Sequence, residues 1–187
     1  MKHKTIQHAG RKLFILLLLP SIVWAQTQRK TPRFVKTPVA ETGCFVYVPQ
    51  VDQANPFDMT LSPDSAKVYH GDFLFDSIHY EVITVCLKNM SLKNTEEKET
   101  LIKAYLDYLK PNFHISQSAG YGLGQHLAGQ DQVSGILDYW TDEMQEDYVV
   151  KAWADETKLA VLLLHGPKPL PVLEVQQTFL NGFRFHP

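Results

Sequence analysis

The sequence predicts an α+β fold, a mostly antiparallel β-sheet with helices packed on it. Three observations lead there. Segments rich in β-branched and aromatic residues outnumber helical ones. One well-capped amphipathic helix interrupts them after Leu87. Three strand-like runs joined by short acidic connections then precede a second short helix. Strands, helix, strands, helix is the order of a sheet covered by helices, not of a βαβ array.

The first 25 of the 187 residues read as a secretory signal peptide. A basic stretch ends at Arg11 and Lys12, an apolar run follows from Leu13 to Val23, and Val23 and Ala25 occupy the small-residue positions before a cut. The run is too short to span a bilayer, which takes about 20 residues. Cleavage after Ala25 would leave Gln26 first and place the mature chain in the periplasm of a Gram-negative bacterium or outside the cell, with no transmembrane segment expected. Residues 26–42 are polar and basic, with Pro32 and Pro38, and read as a flexible linker. Residues 43–187 then form a single α+β domain of ordinary size.

The elements of that domain follow in order. Cys44–Val48 is a compact strand stopped by Pro49, and Phe57–Leu61 is a short one inside a loop-like stretch. Ala66–His70 and Phe73–Asp76 read as two strands joined at Gly71-Asp72. Ile78–Leu87 is apolar on both parities in its second half, as a strand covered on both faces should be. Asn94 can cap a helix from Thr95 to Lys110, with Glu97 three residues on and Pro111 as its stop. Leu101, Ile102, Tyr105, Leu106 and Leu109 form its apolar stripe. Phe113–Ser118 and Leu123–Ala128 are expected to pair across a glycine-rich stretch. Val133–Thr141, Asp147–Ala154 and Lys158–His165 make a meander. The closing helix, Pro171–Asn181, should pack by Val172, Val175 and Phe179.

This order, with Gly-x-Leu-x-Tyr-Trp, then Tyr-Val-Val-Lys-Ala, then Leu-Ala-Val-Leu, then Phe-Leu-Asn-Gly-Phe near the end, resembles the PsbP-like family, over roughly residues 43–185. The resemblance implies an α/β/α sandwich with a binding or assembly role and no shared active site. No residue's role carries over from it.

Charge narrows the partners. Without residues 1–25, 14 basic residues face 20 acidic ones, a net of −6. Arg29, Lys30, Arg33 and Lys36 crowd the start, so the rest is more acidic still. An acidic body repels phosphate backbones, and nucleic acid is not an expected partner. An unidentified protein or small molecule of the cell envelope is. A basic tail could alternatively hold the chain in the envelope as a structural protein.

Export makes Cys44 and Cys86 candidates for a disulfide, worth about 4 kcal/mol on chain-entropy grounds. Two buried free thiols suit the sequence equally. No catalytic or cofactor motif is evident. Leu162-Leu-Leu-His165-Gly166 has the look of an oxyanion segment, but the G-x-S-x-G nucleophile elbow it would serve is missing from the sequence. His70, Asp72, Asp76 and His79 have metal-ligand chemistry. Their parity brings the first three together and leaves His79 out, and a turn is expected between 70 and 73. A hydrolytic or metal-dependent enzyme built on His70, Asp72, His79 or His165 is therefore the alternative to a non-catalytic binding domain.

One register argument points to a binding face. A β-turn centred on Met144–Gln145 pairs Asp138 with Lys151, Trp140 with Val149 and Ile136 with Trp153. Asp138, Trp140, Lys151 and Trp153 would then share one face, an ion pair between two tryptophans.

Overall fold

The computed structural model describes residues 29–52 and 55–185. The expected signal peptide, residues 1–25, lies outside the described residues, as does its cut after Ala25.

The chain runs through β1 (Phe34–Pro38), β2 (Phe45–Pro49), β3 (Asp58–Leu61), β4 (Lys67–Phe75), β5 (Ile78–Cys86), α1 (Thr95–Asn112), β6 (Ile115–Ser118), β7 (Gly122–Leu127), β8 (Gln130–Asp142), β9 (Asp147–Ala154), β10 (Lys158–Gly166) and α2 (Leu173–Leu180). Strands β3 to β10 form one sheet in the order β3-β4-β5-β10-β9-β8-β6, and β7 follows β6 along the same edge of β8. Every strand pair is antiparallel. The expectation of a mostly antiparallel sheet with helices packed on it holds. No described helix is long and apolar enough to cross a membrane.

The sheet's two faces bury separate cores. On one, Ile102, Leu106 and Leu109 of α1 pack with Ile83, Ile136, Trp140, Val150, Val161 and Leu163. On the other, Val175, Phe179 and Leu180 of α2 pack with Tyr80, Val82, Trp153, Leu162 and Leu164, and the β1–β2 pair adds Val46 and Val48. Each helix carries one apolar stripe and the central strands are apolar on both parities, so the sheet must be the middle layer.

Four expectations are corrected. Residues 26–42 do not stay a loose linker throughout: β1 pairs with β2, Val39 is fully buried, and a 3₁₀ turn spans Ala40–Thr42. The basic stretch is also tied down, since Arg29 donates to the carbonyls of Asp76, Pro167 and Pro169, and Lys30 N donates to Asp76 Oδ2 at 3.1 Å. Helix α1 runs two residues past its expected end, because Pro111 falls in the last turn, where the lost N–H costs a single bond. Val172 is exposed and precedes α2, which begins at Leu173. Strands β6 and β7 pair with β8 and not with each other. Of the two readings left open for Cys44 and Cys86, the structure has the free thiols, one in the core and one half-buried.

Gly71 carries a further lesson. It sits inside a continuous strand, and a Cβ there would lie 2.5 Å from the Pro56 carbonyl oxygen. The glycine allows a close backbone approach and makes no turn. The turn comes later, at Asp76 and Ser77, both at positive φ, as a two-residue hairpin of primed type requires.

Candidate functional site

The register of β8 against β9 decides the predicted binding face. The structure pairs Asp138 with Val150, Trp140 with Tyr148 and Gly135 with Trp153, one residue away from the expected register. The cause is the connection. Asp142 N bonds the Glu146 carbonyl at 3.1 Å, and Gln145 takes a positive φ, so three residues close the hairpin where a symmetric turn was assumed. A shift of one residue exchanges the faces. Trp140 and Trp153 therefore lie on opposite sides of the sheet, each at most 1% exposed. Asp138 meets Lys110 at 3.8 Å, while Lys151, on the other face, donates to Asn181 Oδ1 at 2.7 Å and lies over the Trp153 ring. Burial pushes the Lys151 ammonium below its usual range. The four residues form no common site.

Asp138 has a structural task. Where β6 hands over to β7, the regular ladder along β8 breaks off between its partners Ser118 and Gly122, apart from Ala119 N on the Tyr139 carbonyl at 2.9 Å. The carboxylate substitutes for the ladder there, accepting Gly120 N at 3.0 Å, Tyr139 N at 2.8 Å, Ser118 Oγ at 2.8 Å and Trp140 Nε1 at 2.6 Å. Buried polar groups with this many donors are anchors.

The histidines tell a different story. Continuous β4 and the two-residue turn at 76–77 pair Leu74 with His79, Asp72 with Glu81 and His70 with Ile83. Opposite parities thus meet across the hairpin, which puts His79 on the same face as His70 and Asp72. Strand β10 then sets His165 directly against His79, and β9 sets Tyr148 against His165. The three rings stack: His79 on His165 at 4.8 Å and 8°, His165 on Tyr148 at 4.3 Å and 11°. Of the five residues that sequence reasoning named for an enzyme or metal site, four, His70, Asp72, His79 and His165, gather here, at the end of the sheet on the α1 face. Asp76 does not join them; it lies in the turn, held by Arg29.

Glu81, which the sequence did not single out, ties the group together. Its Oε1 accepts from His165 Nε2 at 2.8 Å and its Oε2 from His70 Nε2 at 2.9 Å. Burial alone would raise the Glu81 carboxyl; the two histidines outweigh it and hold it at about 2. The hydrogen bond to Glu81 raises His70 above its ordinary value. Asp72 Oδ2 accepts from His79 Nδ1 at 2.8 Å. That leaves Nε2 as the free nitrogen of His79.

One ligand atom from each of His79, Glu81 and His165 lies within 4.8 Å of the other two. Tetrahedral zinc, bound at about 2.0–2.2 Å by each ligand, would draw such atoms to about 3.3 Å from one another. Two buried polar atoms at the cluster have no partner, His165 Nδ1 and Asp72 Oδ1. His165 Nδ1 faces Glu146 Oε2 at 3.9 Å. Among the described residues, the side chains hydrogen-bonded to His70, His79 and His165 are all carboxylates.

No protein-family model matches the chain, and no curated protein matches it in sequence.

Proposed function

We propose that this chain is an exported domain that binds a divalent transition-metal ion, held by His79, Glu81 and His165. The observation that carries the reading is the convergence of these three ligand atoms within 4.8 Å, on three positions of two paired strands. Two imidazoles and a carboxylate suit zinc and its neighbours better than calcium or magnesium, which prefer all-oxygen sites. Asp72 supports the ligand His79, and His70 supports Glu81, in the manner of the outer hydrogen bonds that orient metal ligands. Three protein ligands on a partly open face leave a coordination position for water or an incoming group.

The reading joins the two sequence-based alternatives. It keeps a binding role, as the PsbP-like resemblance implies, and makes the metal its ligand. Support for that family is the element order together with α1 and α2 on opposite faces of one sheet. Support for export is the signal-like pattern of residues 1–25. Anchoring by a free basic tail loses support, since Arg29 is bound to the domain.

The test is metal analysis of protein purified without an affinity tag, followed by calorimetric titration with zinc. One zinc per chain is expected, lost in His79→Ala, Glu81→Gln and His165→Ala. A metal-free wild type that also takes up no zinc on titration would return the chain to the class of metal-independent binding domains.

A further inference from the structure

We propose that Glu146 is the positioning residue of this metal centre, receiving the His165 proton at Nδ1 when the metal takes Nε2. The inference rests on the metal reading above.

A carboxylate only accepts hydrogen bonds, so the contact of His165 Nε2 with Glu81 Oε1 places the ring's hydrogen on Nε2. Nδ1, the ring's other nitrogen, is buried and unpartnered. Leaving a buried polar atom bare is costly, and such an atom invites an explanation. His79 already has the opposite arrangement: its Nδ1–H is given to Asp72 and its Nε2 is free. For His165 to match it, the hydrogen must move to Nδ1, leaving the Nε2 lone pair for the metal beside Glu81. In the neutral ring the proton count does not change in that exchange: Nε2 gives up one hydrogen, and the part-exposed Glu146 carboxylate passes one from solvent to the buried Nδ1.

A carboxylate already waits at Nδ1. Glu146 Oε2 is 3.9 Å away, about one ångström beyond hydrogen-bond length. Its backbone is fixed independently, by the bond from Glu146 N to Asp142 Oδ1 at 2.9 Å, so its side chain can swing without opening the hairpin. The stacking of His165 between His79 and Tyr148 keeps the ring in plane, so the tautomer can change while the ring stays put. With the shift made, each metal-binding histidine has its Nδ1–H on a carboxylate: His79 on Asp72 and His165 on Glu146. Outer carboxylates of this kind carry roughly 10–100-fold in metal affinity.

The experiment uses the whole mature chain, titrated with zinc and followed by long-range proton–nitrogen spectra of the histidine rings. His165 should carry its hydrogen on Nε2 without zinc and on Nδ1 with it. Glu146→Ala should weaken zinc binding by about 10–100-fold. Glu146→Gln should weaken it less, because the amide oxygen still accepts. Glu143→Gln, which removes a charge from the same turn, should leave affinity unchanged. A His165 hydrogen that stays on Nε2 in the zinc-loaded protein overturns the proposal. So does a Glu146→Ala affinity equal to the wild type, or a loss in Glu143→Gln as large as in Glu146→Gln. A wild type that takes up no zinc overturns the metal reading itself, and this inference with it.

Discussion

Asp138 and Glu81 are buried carboxylates on the same face of the same sheet, in one cross-strand row that runs Asp72, Glu81, Leu163, Val150, Asp138. Their surroundings differ in kind. Asp138 receives two backbone N–H groups, an indole N–H and a hydroxyl, and is fully buried. Each of those groups is spent on the fold. Glu81 receives two imidazoles, which can exchange a hydrogen for a metal, and unpartnered polar atoms lie beside it. Burial of a charge is therefore no sign of function by itself. What distinguishes the two is whether the partners are fixed donors or groups with a second chemical state.

The comparison can be broken most severely at Asp138. Asp138→Ala leaves an indole N–H, a hydroxyl and two backbone N–H groups without their acceptor, and should cost about 3–5 kcal/mol in urea-denaturation stability. A loss below about 1 kcal/mol would mean that solvent or a rearranged β6–β7 connection satisfies these donors, and the structural assignment would fail.

At Glu81 the expected signature is linkage to the metal. Zinc at about 100 times its dissociation constant should raise wild-type stability by about 2.7 kcal/mol. Glu81→Gln should show none of that rise, whereas any Asp138 variant that still folds should keep it. Equal responses in the two would erase the distinction drawn here.

Gly135 tests the register that separated the two tryptophans. A Cβ at this position would lie 2.3 Å from the Trp153 ring, so Gly135→Ala should destabilise by about 2 kcal/mol through overpacking. Thermal unfolding of the variant checks it. A neutral substitution would show that the indole does not lie across β8 here.

The smallest effect is expected at His70, which is about half exposed. His70→Ala frees Glu81 Oε2 and should weaken zinc binding about tenfold by calorimetry, while stability changes by less than about 1 kcal/mol. A stability loss as large as that of Asp138→Ala would show that His70 belongs to the scaffold.

Much of the fold was legible from local patterns. The Asn94–Glu97 cap appears as read, with Glu97 N bonded to Asn94 Oδ1 at 2.9 Å, and the α1 stripe is buried at Ile102, Leu106 and Leu109. Strand β9 begins and ends where its β-branched and aromatic run does. The site was only half legible. Its histidines carry the right chemistry, but parity along the chain does not hold through a hairpin, and Gly71 imitates a turn in sequence while lying inside a strand. Two signals pointed the other way. Gly135 leaves room for the Trp153 ring in the true register, and Asp76-Ser77 offers a two-residue turn between longer runs.

The sequence by itself determined both helices, most of the strands and the helices' apolar stripes, because those depend on periodicity and capping within a few residues of chain; β1 and the continuity of β4 were not among them. Only the tertiary structure decided which residues share a face across a turn. One extra residue in the β8–β9 connection moved Trp140 and Trp153 apart, since side chains alternate with a period of two. The pairing of β5 with β10 brought His165 to His79 and Glu81 from more than eighty residues away, and no local pattern encodes that contact. It follows from the sheet order, which is set by burying two apolar faces at once.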